Sequence, residues 1–307
     1  MPTARYRNPE RLRDYLVEDV LGMLRASRQT PWGRLLGAWL KQPAGQLAAL
    51  AIEFESRVQT MGLPEACRAL LPRFITSSYV SLPAEIPSSG PLLIAANHPG
   101  LVDGVLIAAR VARRDLKIVV SNLDIFSRLE GIRRHIILTS KETHERLIVV
   151  REAIRHLQQG GALLIFPGGM LEPDPALFPG LQHALRRWSA SLNIILRRAP
   201  ETKVTIAIVS GVISPAFLRN PLSRFQRSAI DRQKAAQVLQ AVRQLISDRT
   251  PDITPRIHFS APTAVSELCA HLATGDPLEA IRLQALDLIQ RLPYAHILDG
   301  PGKEFTA

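Results

Sequence analysis

Two cysteines in 307 residues, Cys67 and Cys269, make no disulfide framework and no metal-binding spacing. That scarcity points to a reduced, cytosolic chain. Aromatic residues are only 5% of the chain, too few for a platform that stacks single-stranded nucleic acid. No apolar run reaches the length of a membrane span. Trp32 to Ile52 comes nearest, but Arg34, Lys41 and Gln42 interrupt it, and Pro43 is expected to break a helix there. The charged N-terminus lacks the apolar segment of a secretory signal. Acidic residues are outnumbered, 27 against 38 Lys and Arg, leaving a formal charge of +11. A balance this basic suits anionic partners: a phosphorylated substrate, an anionic lipid surface, an acidic carrier protein or nucleic acid. The basic residues are scattered, however, and no nucleic-acid-binding module is present.

The chain does have a sizeable apolar share, 46%, and two rhythms. Up to about residue 78 it reads as helical: Arg11–Arg25, Leu47–Val58 and Pro64–Leu71, punctuated by Pro31, Pro43, Pro64 and Pro72. Trp32, Leu35, Leu36, Trp39 and Leu40, with Arg28, Arg34 and Lys41 around them, read either as ordinary packing or as an amphipathic membrane-surface element. From residue 79 strands alternate with helices. The strands are Pro91–Ala96, Lys117–Ser121, His135–Leu138, Ala162–Phe166, Val204–Val209 and Arg256–Ser260. The helices are Leu101–Ala112, His144–Gln159, Gly180–Asn193, Asp231–Ile246 and Pro277–Gln290. This is an α/β pattern: a mixed, largely parallel sheet covered by helices, with an N-terminal helical subdomain over 1–78 and the α/β domain over 79–307.

Two strand-to-helix turns carry the chemistry. In the first, the run Pro91–Ala96 gives way to Asn97-His98-Pro99-Gly100, and Asp103 falls in the first turn of the next helix. His and Asp five apart on a regular helix would not share a face. Pro99-Gly100 puts the imidazole ahead of the helix, so the two can fold together. The carboxylate then holds one tautomer, and the other ring nitrogen is free to take a proton from a hydroxyl. The plainer reading makes His98 a packed turn residue and Asp103 a helix-start charge. The second turn, Phe166-Pro167-Gly168-Gly169-Met170-Leu171-Glu172, offers backbone N–H groups that can approach an oxygen closely. A tight loop needing positive φ would give the same pair of glycines.

Together these turns resemble the glycerolipid acyltransferase superfamily, whose best-known members are the 1-acylglycerol-3-phosphate acyltransferases. Asn97, His98 and Asp103 match its first motif, Asn-His-x4-Asp. Phe166-Pro167-Gly168-Gly169-Met170 stands where the family has Phe-Pro-Glu-Gly-Thr, and Thr205–Pro215 looks like the fourth motif, an apolar strand ending near a proline. The resemblance spans about residues 79–262. It implies acyl transfer from a thioester donor, acyl-CoA or acyl carrier protein, to a lysophospholipid, glycerol-phosphate or related lipid, without metal or cofactor. His98 would be the general base and Asp103 its orienting acid. Asn97, Gly168, Gly169 and Glu172 would line the substrate site. It also implies a cytoplasmic protein, peripheral on the inner face of an anionic membrane.

The chain departs from the pattern twice. Gly168 replaces the motif glutamate, for which Glu172 is a substitute from another place in the loop. Ser140 stands in the second motif's arginine slot, leaving Arg133, Arg134 and Lys141 as headgroup contacts or as plain surface charges. These changes leave a second reading, a catalytically lapsed lipid- or acyl-carrier-binding module on the same fold. His135, His144, His156 and His183 make no ligand pair with a carboxylate. Arg186-Arg187-Trp188 is read as partly buried core or as a lipid contact.

Overall fold

The computed structural model describes residues 9–23, 27–121, 129–139, 143–247 and 253–292. Its centre is an eight-stranded sheet: β1 (Tyr79–Ser81), β2 (Leu92–Ala96), β3 (Lys117–Ser121), β4 (Ile136–Thr139), β5 (Ala162–Ile165), β6 (Lys203–Ser210), β7 (Arg256–Phe259) and β8 (Thr263–Ala264). The order is β1-β7-β6-β2-β5-β3-β4, with β8 also on β6. Neighbours from β6 to β4 run parallel. β7 and β8 run antiparallel to β6, and β1 follows β7. The sheet is therefore mixed and largely parallel, as the alternation of strands and helices implies.

Helices cover both faces, which is why the central strands read as continuous apolar runs. Side chains still alternate. Leu92, Ile94 and Ala96 of β2, with Ala162 and Leu164 of β5, enter one core; Leu93, Ala95, Leu163 and Ile165 enter the other. The first core is closed by residues of α2 (Pro31–Met61), α3 (Leu63–Leu70), α4 (Asp103–Val111), α5 (Glu130–Arg133) and α11 (Ala229–Ser247). The second is closed by α6 (Thr143–Gln158), α7 (Leu181–Ala184), α8 (Ser191–Arg198), α12 (Val265–Cys269) and α13 (Pro277–Gln290). The single helix expected over Gly180–Asn193 is thus broken, with a 3-10 turn at Leu185–Arg187 between α7 and α8.

Helix α1 (Pro9–Met23) and the first half of α2 form a third, separate core from Leu12, Leu16, Val17, Leu21, Leu40, Ala44 and Ala48. The expected break at Pro43 does not occur: α2 runs unbroken for 31 residues, about 46 Å. A proline inside a helix costs about 3 kcal/mol and leaves one carbonyl without its partner. Here Pro43 is buried beside Ala44 and Ala48, and packing against α1 outweighs the local penalty. The opposite stripe of α2 stays bare. Trp32 is 69% exposed, Leu35 64% and Trp39 52%. Their spacing of three and four puts all three on one face. Farther along, Glu55 accepts from Gly131 N and Ile132 N, tying α2 to the start of α5.

Candidate active site

β2 ends at Ala96, and Asn97 keeps the sheet intact as the chain leaves it. Its Nδ2 donates to Val209 O at 2.9 Å, and Val209 N donates to its Oδ1 at 2.7 Å. The side-chain amide replaces a peptide unit of the ladder with β6. Asn97 is fully buried, so it supports the turn from beneath and does not line a substrate surface as expected.

The next residue turns outward. His98 Nδ1 lies 2.8 Å from Asp103 Oδ2. The same oxygen accepts from Gly100 N at 3.0 Å, and Oδ1 accepts from Gly104 N at 2.7 Å. A carboxyl whose two oxygens both accept backbone N–H groups is fixed as an acceptor, so Nδ1 carries the proton and donates. Nε2 then presents a lone pair, and among the described residues it makes no hydrogen bond. The imidazole side chain is 30% exposed against 2% for Asp103, so one part of the ring faces outward while its partner is sealed. Phe166 from the second turn packs on the ring, centroids 4.6 Å apart. Burial alone would lower the imidazole's pKa, but the Asp103 carboxylate and, more weakly, Glu172 raise it above its ordinary value. Gly100 is glycine for a steric reason: a Cβ there would meet Val212 Cγ2 at 2.6 Å.

Glu172 reaches back to this turn from β5's loop. Its N donates to His98 O at 2.8 Å and its Oε2 accepts from His98 N at 3.1 Å. Trp188 Nε1 donates to Oε1 at 2.8 Å. Glu172 is 1% exposed, so it clamps the histidine's backbone and is not open to substrate. Burial raises its carboxyl, against the opposing pull of Trp188 and the His98 N–H. Gly168 belongs to the same unit. The three atoms nearest to a Cβ built there are all from the Glu172 side chain, the closest Oε1 at 2.5 Å. Gly169, with φ 66°, uses the left-handed conformation to turn the loop.

A second buried acid braces the next loop. Asp174 accepts from Gly211 N at 2.8 Å, Val212 N at 3.0 Å and Ala176 N at 3.0 Å. Burial pushes its carboxyl up to about 6 despite those donors, and the charge of Asp103 adds to the rise. Helix α11 then crosses these loops with a stripe of buried glutamines. Gln233 Nε2 donates to Pro99 O at 2.8 Å and Glu172 O at 2.7 Å, and Gln237 also donates to Pro99 O. Gln240 Nε2 donates to Val212 O at 3.1 Å, and Gln244 Nε2 to Phe74 O at 2.6 Å. The spacing of four, three and four is one helix face, a pattern present in the sequence but not read as functional.

The structure does not bring Arg133 and Arg134 to His98. They precede β4, whereas His98 follows β2, and in a parallel sheet those are opposite ends. Both are exposed and line, with Lys117, Glu130 and Glu152, a hollow of about 390 Å³ at the sheet's edge. Lys141 lies outside the described residues. His135 and His156 point to backbone carbonyls, Leu116 O at 3.0 Å and Ala162 O at 2.9 Å. Trp188 is core, 1% exposed. Among the described residues no three His, Cys, Asp or Glu side chains cluster as a metal site.

The fold and this corner define an α/β protein with a His–Asp pair on the C-terminal rim of its parallel strands, where such sheets place their chemistry. Residues 78–210, which contain the pair and both turns, match the family model described as Acyltransferase. Through that segment, a little under half of its length, the chain is similar to that family. The structure is similar to that of the 1-acyl-sn-glycerophosphate (LPA) acyltransferase PlsC from Thermotoga maritima. The two share 14% identity over 95% of this chain and 100% of that one, with a TM-score of 0.43. No curated protein matches the chain.

Proposed function

We propose that the protein is an acyltransferase, moving a fatty acyl group from a thioester, acyl-CoA or acyl carrier protein, to the hydroxyl of a lysophospholipid, glycerol-phosphate or related lipid; the match of residues 78–210 to the Acyltransferase family supports the class of reaction. The observation that carries the reading is the 2.8 Å contact between His98 Nδ1 and a buried, doubly donated Asp103, with the ring partly exposed. Nε2 takes the acceptor's hydroxyl proton as its oxygen attacks the thioester carbonyl. The imidazolium that forms lies against Asp103. Collapse of the tetrahedral intermediate breaks the C–S bond, and the proton passes from His98 to the departing thiolate. The thioester carries its own good leaving group, so positioning and one base suffice.

Among the described residues no helix is long and apolar enough to cross a membrane. An amphiphilic acceptor is then met at a surface. The bare Trp32, Leu35 and Trp39 stripe, beside exposed Arg34 and Lys41, supports peripheral association with an anionic bilayer through α2.

The test is release of free thiol from acyl-CoA or acyl carrier protein over a panel of lysophospholipids and glycerol-phosphate. Wild type releases thiol with at least one pair, and His98→Ala falls by about a thousandfold or more while its thermal melt is unchanged. Survival of activity in His98→Ala would remove the assigned base. Silence across the panel would favour the binding-module reading.

A further inference from the structure

Between β6 and α11 the chain forms a knuckle of two four-residue helices, α9 (Pro215–Leu218) and α10 (Pro221–Arg224). Each is fixed at its start. Ser214 Oγ accepts from Ala216 N and Asn220 Oδ1 from Leu222 N, with a proline opening each helix. The knuckle is also held from beneath. Arg232 donates to Leu218 O through Nε and Nη2, and Ser214 N donates to Gln240 Oε1 at 2.8 Å.

On this braced element Phe225 is 86% exposed and Leu222 65%. Arg219, Arg224 and Arg227, all exposed, are their neighbours in the chain, and residues 211–230 contain no Asp or Glu. A large ring held this far into water marks a contact surface. The knuckle shares the His98 end of the sheet. It follows the C-terminal end of β6, Val212 lies against Gly100, and α11 holds the Pro99 carbonyl. Leu101, 63% exposed, and Met170, 60% exposed, come from the turns after β2 and β5 at that same end.

We propose that the knuckle docks the His98 rim on an anionic bilayer, Phe225 and Leu222 entering the headgroup–acyl boundary while Arg219, Arg224 and Arg227 meet lipid phosphates. Its apolar side chains are exposed on the same element as its cations. That form suits insertion into a soft anionic interface, whereas an acidic carrier protein needs only the charges. The site is separate from the α2 stripe. It would orient the catalytic rim, not merely tether the chain, and in that purpose it rests on the acyltransferase reading.

The test is partition of the full chain onto vesicles of phosphatidylglycerol and phosphatidylcholine, compared with phosphatidylcholine alone and read without turnover. Docking and acyl transfer therefore fail separately. The wild type should prefer the anionic vesicles. Leu222→Ala/Phe225→Ala should bind them about tenfold or more weakly, and Leu222→Glu/Phe225→Glu more weakly still. The triple change of Arg219, Arg224 and Arg227 to Gln should lose most of the anionic preference, about fivefold per charge at low salt. Leu283→Glu, an exposed position on α13, should bind as wild type, and thermal melts verify that each variant is folded. Wild-type partition by both Leu222/Phe225 doubles would overturn the proposal. So would a wild type with no anionic preference, or doubles that lose only binding to acyl carrier protein.

Discussion

The His98 corner and the hairpin of α1 with the first half of α2 treat their side chains in opposite ways. In the corner the polar groups are inside. Asn97, Asp103, Glu172 and Asp174 are each at most 1% exposed, and each accepts at least one backbone N–H. On the outer face of the hairpin, away from its own core, large apolar groups are outside: Trp32, Leu35 and Trp39. Buried polar groups tolerate little displacement, because each lost hydrogen bond leaves an unsolvated donor or acceptor. Exposed apolar groups make few contacts within the fold, so their place there is decided by what lies outside it. The corner should therefore be sensitive to single atoms, and the outer stripe of the hairpin should be indifferent to whole side chains.

The largest effect is expected at Asp103. Asp103→Asn keeps the shape but presents an uncharged amide to Nδ1, which no longer stabilises the imidazolium and can favour the wrong tautomer. Thiol release should fall by about a hundredfold to ten-thousandfold in kcat, with little change in KM. One of the two backbone donors, Gly100 N or Gly104 N, also loses an oxygen, so the melt should drop by about 1–2 kcal/mol. Activity within tenfold of wild type would break the contrast at its strongest point.

Gly168→Ala tests the same corner with one methyl group. Its Cβ would lie 2.5 Å from Glu172 Oε1, so the clamp on His98 N must shift. A loss of about 1–3 kcal/mol in stability is expected, with reduced kcat because the base moves with its backbone. The cause is checked by pairing the change with Glu172→Gly, which removes the obstructing atoms. If Gly168→Ala alone melts like wild type, the loop is softer than its hydrogen bonds imply.

A finer probe is pH. His98 accepts a proton only when neutral, so activity is lost as pH falls through its pKa. Asp103 and Glu172 raise that pKa, which places the acidic limb higher than for a free imidazole. Glu172→Gln removes one of the two negative charges, and the limb of kcat/KM should move to lower pH, by less than about one unit. A limb that moves upward, or a uniform loss at every pH, would make Glu172 purely structural.

How much of this was legible follows the reach of each interaction. Lys117–Ser121 and Pro277–Gln290 match the structure to the residue because their own patterns decide them. β1 and β8, three and two residues long, carry no pattern of their own and exist through pairing with β7 and β6. Pro43 misled because its local rule was overridden by packing with α1. Within the corner, the approach of His98 to Asp103 is local, five residues apart, and the Pro-Gly break announces it. The clamp is not local. Glu172 reaches His98 across 74 residues, and Gln233 reaches Pro99 across 134. Arg133 and Arg134 lie away from His98 for a simpler reason: residues ahead of a parallel strand sit at the other end of the sheet from those after it.

The smallest expected effect completes the comparison from the hairpin's side. Trp32→Gln/Trp39→Gln removes two of the chain's three tryptophans, a change that in the corner would be ruinous. Trp188, the third, is 1% exposed and holds Glu172 through its indole N–H. Trp32 and Trp39 lie on the bare stripe of α2, and glutamine is a good helix former. Stability should therefore stay within about 0.5 kcal/mol of wild type, measured by denaturant unfolding. Vesicle binding should still weaken, because the lost side chains are those that α2 would lay into an interface. A marked drop in stability would mean that these rings already pack within the fold, and the hairpin would then belong with the corner and not opposite it.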